Sequence, residues 1–139
     1  MKRFLLFIAA LCGVFAGFAA DRSYTVLSPD GVVKASITVG DNLSYAVDFG
    51  DKRVLEPSKI ALELADGMVL GQKCRVAKLS KGTVTKSIDA KFYHRNRIAD
   101  NYNYIKLDFR GGYGVEFRAY NEGVVYRLST NRNEGFTVK

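Results

Sequence analysis

The stretch "EFRAYNEGVVYRL", residues 116–128, contains two runs with apolar side chains at alternate positions, separated by Asn121, Glu122 and Gly123. A period of two is typical of β-strands, and a short polar segment ending in glycine is typical of a turn between them. We expect a hairpin with a four-residue loop at 120–123. Apolar side chains then lie opposite one another on one face: Ala119 and Val124, Phe117 and Tyr126, Val115 and Leu128.

The residues on the opposite face of this hairpin distinguish between two possible registers. Glu116 lies opposite Arg127 there, whereas a register shifted by one residue would place Phe117 opposite Arg127. The pattern therefore predicts the first pairing. We also expect Gly123 to adopt the left-handed backbone conformation that such loops often need.

Upstream of this hairpin the same period predicts an earlier one. Residues 33–39 and 43–49 alternate, and Gly40-Asp41-Asn42 supplies turn residues between them. The second run places Leu43, Tyr45, Val47 and Phe49 on one face. A short strand at 53–55 follows, and Pro57 is expected to end regular pairing because it lacks an amide donor.

Short alternating runs continue through the middle of the chain. Asp66-Gly67 is typical of a tight turn, and Lys81-Gly82 is interpreted as a break between two strands. No sustained helical period appears. The pattern predicts an all-β, antiparallel β-sandwich with further strands in residues 60–64, 68–70, 76–79, 83–88 and 105–109.

The first 19 residues have the features of a secretory signal peptide. Lys2 and Arg3 precede an apolar run that ends in small residues, with cleavage expected after Ala19. A membrane anchor is the alternative, but the run is short for a span and no basic stop-transfer cluster follows it. We therefore expect residues 20–139 to form a sandwich that is secreted across the inner membrane and is periplasmic or outer-membrane associated, without a transmembrane anchor.

Cleavage would change the charge and thiol content of the chain. The 21 basic residues fall to 19 against 14 acidic ones, because Lys2 and Arg3 are removed. Cys12 is also removed, so Cys74 is left without a disulfide partner and is expected to be a buried, small apolar residue. The fold must then depend on its hydrophobic core, for which roughly 120 residues are sufficient.

Several segments together resemble the amino-terminal domain of glycoside hydrolase family 97, a family of bacterial exo-acting α-glycosidases. They are "SPDGVVKASITVGDNLSYAV" from Ser28, "VLEPSKIALEL" from Val54, "NYNYIKLDF" around Asn103, and "EFRAYNEGVVYRL". The resemblance implies a sandwich of the galactose-mutarotase-like supersandwich type, present here in part. It also implies a following (β/α)8 catalytic barrel, absent from this chain, whose carboxylates act with calcium on an oligosaccharide.

No catalytic or metal-binding residue is carried over from this resemblance, because nothing in the chain matches the barrel motifs. No cofactor is expected in the chain itself, although calcium is expected in full-length family members. Tyr104 departs from the family pattern, in which an acidic residue follows Tyr-Asn. The chain ends at "GFTVK" with Phe136 and Val138 still alternating, so we expect a fragment of a longer sandwich.

An aromatic and basic stretch supplies the candidate carbohydrate contacts, because a ring face with a polar edge can stack on a sugar. Surface or sandwich-rim packing is the structural alternative for these side chains. The only histidine is interpreted as a surface residue of a basic loop, with a general acid or base as the functional alternative. The candidate contacts are Tyr93, His94, Arg95, Tyr102 and Tyr104.

The remaining motifs argue against an enzyme acting alone. Each glutamate lies beside a turn or on a polar face, whereas glycoside hydrolysis needs two carboxylates facing each other. No His, Cys, Asp and Glu cluster has metal-ligand spacing, and "GGYG" at 111–114 lies between strands rather than before a helix. We expect no turnover, and expect the isolated segment to aggregate or pack loosely with Phe117, Tyr126, Phe136 and Val138 uncovered.

Residues 73–97 are strongly basic and leave rival interpretations open. Eight lysines and arginines stand against Asp89 alone, which favours either a solvated face or a surface for acidic glycans. Export argues against nucleic acid as the partner. The alternatives to an enzyme segment are therefore a stand-alone carbohydrate-binding sandwich, for which the absence of tryptophan is unfavourable, and a polyanion-binding one.

Overall fold

The computed structural model describes residues 21–89, 97–133 and 137–139. These residues form strands and connecting turns, with no helix among them. The strands are β1 (Arg22–Leu27), β2 (Val33–Val39), β3 (Leu43–Phe49), β4 (Lys52–Ile60), β5 (Leu62–Glu63), β6 (Val69–Leu70), β7 (Val76–Asp89), β8 (Arg97–Phe109), β9 (Tyr113–Tyr120) and β10 (Gly123–Thr130).

The strands form two four-stranded antiparallel sheets and a small two-stranded one. The first sheet has the order β1-β2-β3-β4, the second β10-β9-β8-β7, and β5 pairs with β6. The inner faces of both large sheets contribute the buried core, in which Ile37, Leu43, Ile105 and Phe117 are fully enclosed. The predicted all-β antiparallel sandwich is confirmed.

The β9–β10 hairpin has the predicted register. Phe117 pairs with Tyr126 and Glu116 with Arg127. The loop is tighter than expected, because Tyr120 already pairs with Gly123 and only two residues form the turn. Gly123 is not among the residues with positive φ, so the expected left-handed conformation is wrong. Its place inside the strand requires an ordinary extended backbone instead.

The β2–β3 hairpin also follows the sequence pattern. Phe49 pairs with Val33 and Val47 with Ala35, so the alternating apolar residues of β3 share the inner face. The prediction for Pro57 is confirmed in part, because regular pairing breaks between Leu55 and Ser58, but β4 continues through Pro57 and pairs again from Ser58. β4 is an edge strand, where a missing amide donor is tolerated.

The middle of the chain contains one confirmed hairpin and one error. Asp66-Gly67 forms the turn between β5 and β6, with Leu64 N donating to Met68 O at 2.8 Å. Lys81-Gly82 is not a break, because β7 is a single strand of 14 residues that pairs with β8 throughout this region. Gly82 lies in the middle of this strand, where the ring of its cross-strand partner Tyr104 covers it.

The expected exposure of the inner face is partly wrong. Phe117 has no exposed surface, because the first sheet covers it and Tyr45 packs 5.5 Å from its ring centroid. Tyr126 and Val138 are 43% and 53% exposed, as expected. Phe136 lies outside the described residues. The two sheets thus enclose a core, while Tyr126 and Val138 are left partly uncovered.

Candidate functional site

The structure places two of the five predicted carbohydrate contacts together. Tyr102 and Tyr104 lie on β8, whereas Tyr93, His94 and Arg95 lie outside the described residues. Ile105 on the same strand is fully buried in the core. Because successive side chains of a strand point to opposite faces, both tyrosines lie on the outer face of the second sheet.

Two residues that the sequence interpretation missed complete this cluster. Tyr120 on β9 packs against Tyr102 with 5.0 Å between ring centroids, and the Arg118 guanidinium lies 4.6 Å above the Tyr102 ring. The Tyr104 centroid lies 6.4 Å from that of Tyr102. We call these four residues the tyrosine platform. The alternation of Glu116, Arg118 and Tyr120 on the polar face of β9 was the available signal.

Gly82 explains how Tyr104 fits on the sheet. The two residues are direct partners across β7 and β8. A Cβ at Gly82 would come within 2.7 Å of Tyr104 Cε1 and 2.8 Å of its hydroxyl, so the ring covers the position where a side chain would be. This is a cross-strand arrangement in which an aromatic ring shields a strand glycine.

Ion pairs fix the cationic side of the platform. Glu116 accepts from Arg118 Nε at 2.6 Å and from Arg127 Nη2 at 3.1 Å, so both carboxylate oxygens are occupied. Burial opposes ionisation of Glu116, but the hydrogen bonds from the two guanidinium groups outweigh it and lower its pKa. A carboxyl group held ionised in this way is poorly suited to act as a general acid.

The exposed parts of the platform define its possible chemistry. Tyr102 is only 7% exposed, because its neighbours cover it. The Tyr120 hydroxyl donates to Asp100 Oδ1 at 3.2 Å. Burial raises the pKa of Tyr120, and the hydrogen bond to the Asp100 carboxylate raises it further. Tyr104 and Tyr120 remain partly accessible. The surface can therefore stack and hydrogen-bond.

Wherever a shift is resolved among the described Asp and Glu residues, the pKa is lowered, as for Asp30, Asp48 and Glu116. A glycosidase needs one carboxyl group with a raised pKa. Glu63 binds Lys139 at 2.7 Å, and Glu134 lies outside the described residues.

A second surface lies at one end of the sandwich, where the β2–β3 turn meets the start of β7. This basic cleft has a volume of about 720 Å³. Four of its lining residues are cationic and none of them forms an ion pair with a described residue, although two aspartates also line it. The charged lining residues are Asp21, Arg22, Asp41, Lys73, Arg75 and Arg110.

The basic residues of the run 73–97 lie in different parts of the structure. Of the described residues of that run, only Lys73 and Arg75 among the cations reach the cleft, while Arg97 pairs with Asp89 at 3.3 Å on the ribbon formed by β7 and β8. Lys73 has φ of 48°, and within the described ranges it is the one non-glycine residue with positive φ. Such a conformation is strained for a residue with a Cβ.

Cys74, behind this cleft, is buried, as predicted. It is 8% exposed, and its Sγ lies 3.3 Å from the Tyr113 hydroxyl. Burial raises the pKa of Cys74 and raises that of Tyr113 to about 12. A thiol whose ionisation is disfavoured is a poor nucleophile.

The part of the chain that the structure describes contains no group of three or more His, Cys, Asp or Glu residues arranged to hold a metal ion. Within that same part, no helix has the length and apolar character needed to cross a bilayer.

The fold is an antiparallel β-sandwich module that carries two candidate surfaces, the tyrosine platform and the basic cleft. The chain belongs to the glycosyl-hydrolase 97 N-terminal family, whose sequence model matches residues 26–139. It is 34% identical over 137 residues to a retaining alpha-galactosidase of Bacteroides thetaiotaomicron. That match covers 99% of this chain and 20% of the galactosidase, so the chain spans about a fifth of this relative.

Solved structures share the fold. A family 97 enzyme from Pseudoalteromonas sp. strain K8, in complex with acarbose, has a TM-score of 0.72 at 24% identity, over 83% of this chain and 19% of the enzyme. A beta-arabinopyranosidase has a TM-score of 0.74 at 19% identity, over 84% of this chain and 20% of that protein.

Proposed function

We propose that this chain is the non-catalytic amino-terminal sandwich segment of a secreted, exo-acting α-glycosidase, and that it supports the active site of a catalytic barrel supplied by the remainder of such a protein. The observation that carries the proposal is the family match over residues 26–139 in a chain that spans a fifth of its relative. The lowered pKa values of the shifted carboxyl groups agree with a non-catalytic role.

The same proposal covers export, calcium and contact with carbohydrate. The signal-like residues 1–19 direct export to the periplasm or outer membrane. In the full-length protein, calcium acts together with the carboxylates of the catalytic barrel. The tyrosine platform contacts oligosaccharide through Tyr104 and Tyr120, since Tyr102 is largely covered. Tyr93, His94 and Arg95 remain candidate contacts.

A chimera tests the proposal. In the Bacteroides galactosidase, the matching amino-terminal segment is replaced by residues 26–139 of this chain. We expect the chimera to hydrolyse nitrophenyl α-galactoside and residues 20–139 alone to hydrolyse no nitrophenyl α-glycoside. A folded chimera without turnover, or turnover by the isolated segment, would contradict the proposed role.

The basic cleft favours a second candidate function, the binding of acidic polysaccharide. Its four cations form no ion pair with a described residue and line one concavity, whereas a solvated face does not need to gather its charges. We expect dextran sulfate, but not dextran, to bind at low salt and to dissociate at high salt. Arg75→Gln in the cleft should weaken this binding, whereas Lys59→Gln on the exposed part of β4, which removes the same single charge, should not. Equal loss in both variants would assign the binding to overall charge.

A further inference from the structure

The two sheets of the sandwich do not overlap completely. β1 lies over β8 and β9, and β2 lies over β9 and β10. On β3, Tyr45 reaches the last strand of the second sheet, with 5.3 Å between its ring centroid and that of Tyr126. Given the strand order, β4 lies beyond β10. Among the residues that the structure describes, space for a further strand of the second sheet is therefore left beside β10 and opposite β4.

Apolar side chains border this space. Phe49 pairs with the buried Val33 on the inner face of the first sheet, yet Phe49 is 55% exposed. Tyr126 on the inner face of β10 is 43% exposed. In a β-sandwich the inner faces of both sheets normally pack against each other. These exposed rings indicate an inner face that lacks part of its cover.

The free edge of β10 differs from the other sheet edges. β4 carries Pro57 and two register irregularities, and β7 carries lysines and one irregularity. β1 is short, and its Leu27 carbonyl accepts a hydrogen bond from Asn103. These features protect edges against added strands.

β10 has none of this protection. It is eight residues long, pairs with β9 without irregularity, and contains neither proline nor lysine. Its one charged residue, Arg127, is neutralised by Glu116 within the same hairpin. Val125 on its outer face is 52% exposed. The strand thus offers a regular, uncharged row of backbone groups for pairing.

We propose that the free edge of β10 is the docking site for an added β-strand from the four fifths of a family 97 protein that this chain does not span. The inference rests on the proposed function. The added strand extends the second sheet and lies opposite β4. Its inward side chains are apolar and cover Phe49 and Tyr126, and its backbone hydrogen-bonds to β10.

Hydrogen exchange of residues 123–130 tests this inference in the isolated chain and in the galactosidase chimera. We expect β10 amides that do not pair with β9 to exchange about tenfold or more slowly in the chimera. Amides of β9 should be protected in both proteins, and the free-edge amides of β7 should remain fast in both. If the chimera does not fold, the same measurement on the aligned strand of the unmodified galactosidase gives the result.

The possible outcomes distinguish a failure of this inference from a failure of the proposed function. Protection of β10 in a monomeric chimera supports the docking site, whether or not the chimera is active. Rapid exchange of β10 in an active chimera overturns the docking site and leaves the proposed function standing. Protection that appears only in a dimer assigns the edge to a second copy of the chain and overturns the stated occupant. An inactive, folded chimera counts against the proposed function alone.

Discussion

Gly71 directly follows β6 and lies against the backbone of Ile60, the last residue of β4. Its φ is 91°, and a Cβ there would come 2.0 Å from the carbonyl oxygen of Ile60. Gly31 has a similar φ of 75° but open space around it. The pair separates two costs of adding a methyl group: left-handed strain, which both positions share, and collision with backbone, which only Gly71 has.

We therefore predict a graded series of alanine variants. Gly71→Ala should lower the free energy of unfolding by about 3 kcal/mol or more, and Gly31→Ala by about 1 kcal/mol. Gly123→Ala, in open space with ordinary φ, should change it little. Urea denaturation measures all three. Equal losses at Gly71 and Gly31 would show that the backbone near Ile60 moves away.

Tyr113 and Cys74 predict the behaviour at alkaline pH. Burial raises the pKa of Tyr113 from 10.0 to about 12 and raises that of Cys74 above 9.0. The fold therefore favours the protonated groups, and their contribution to stability is complete below the unfolded pKa values. It should decline as the pH rises from about 9 to about 12.

A matched variant assigns this alkaline loss. In Tyr113→Phe the phenol no longer titrates, so the free energy of unfolding should fall less steeply between pH 10 and 12 than in the wild type. The variant should also be less stable at pH 7, because the Gly71 amide loses its partner at 3.3 Å. Identical alkaline slopes would exclude Tyr113 as the titrating group.

In the β9–β10 hairpin, Glu116 links its own strand to the neighbouring one through Arg118 and Arg127. Its pKa is lowered overall, since the guanidinium hydrogen bonds outweigh burial. The stabilisation is present above the unfolded pKa of 4.5 and is lost as the pH falls through the lower folded value.

Glu116→Gln should consequently lower stability at pH 7 by about 1 kcal/mol and flatten the loss of stability in acid. Glu122→Gln, in the exposed turn of the same hairpin, is the control and should leave the acid dependence unchanged. Thermal melts between pH 2 and 7 provide the comparison. If acid lowers the melting temperature of Glu116→Gln as steeply as that of the wild type, the acid sensitivity belongs to other carboxyl groups.

The elements that sequence predicted correctly are those whose pattern is local. The β2–β3, β5–β6 and β9–β10 hairpins each combine a period of two with turn residues, and for β9–β10 the predicted register is also confirmed. Gly82 misled the interpretation of β7 because glycine is typical of turns. Its actual role depends on the Tyr104 ring, 22 positions away in the chain, which no local pattern reports.

For the isolated chain, we predict cooperative melting together with self-association that rises with concentration. The enclosed core with Phe117 at its centre favours the former, and the unprotected β10 edge favours the latter. Val125→Lys should reduce association by blunting that edge, whereas Val54→Lys on the already protected β4 should not. Sedimentation velocity over a concentration series measures both. A wild-type chain that stays monomeric would contradict this.

The sequence by itself determined that the chain is an antiparallel all-β sandwich of family 97 type, because strand period, turn residues and hairpin register are set by near neighbours. It also determined that Cys74 is buried. Only the tertiary structure enclosed Phe117, brought Tyr120 and Arg118 onto Tyr102, and gathered Arg22, Lys73 and Arg110 in one cleft. These arrangements depend on how two sheets stack and on how far they overlap, and such packing joins residues that share no sequence spacing.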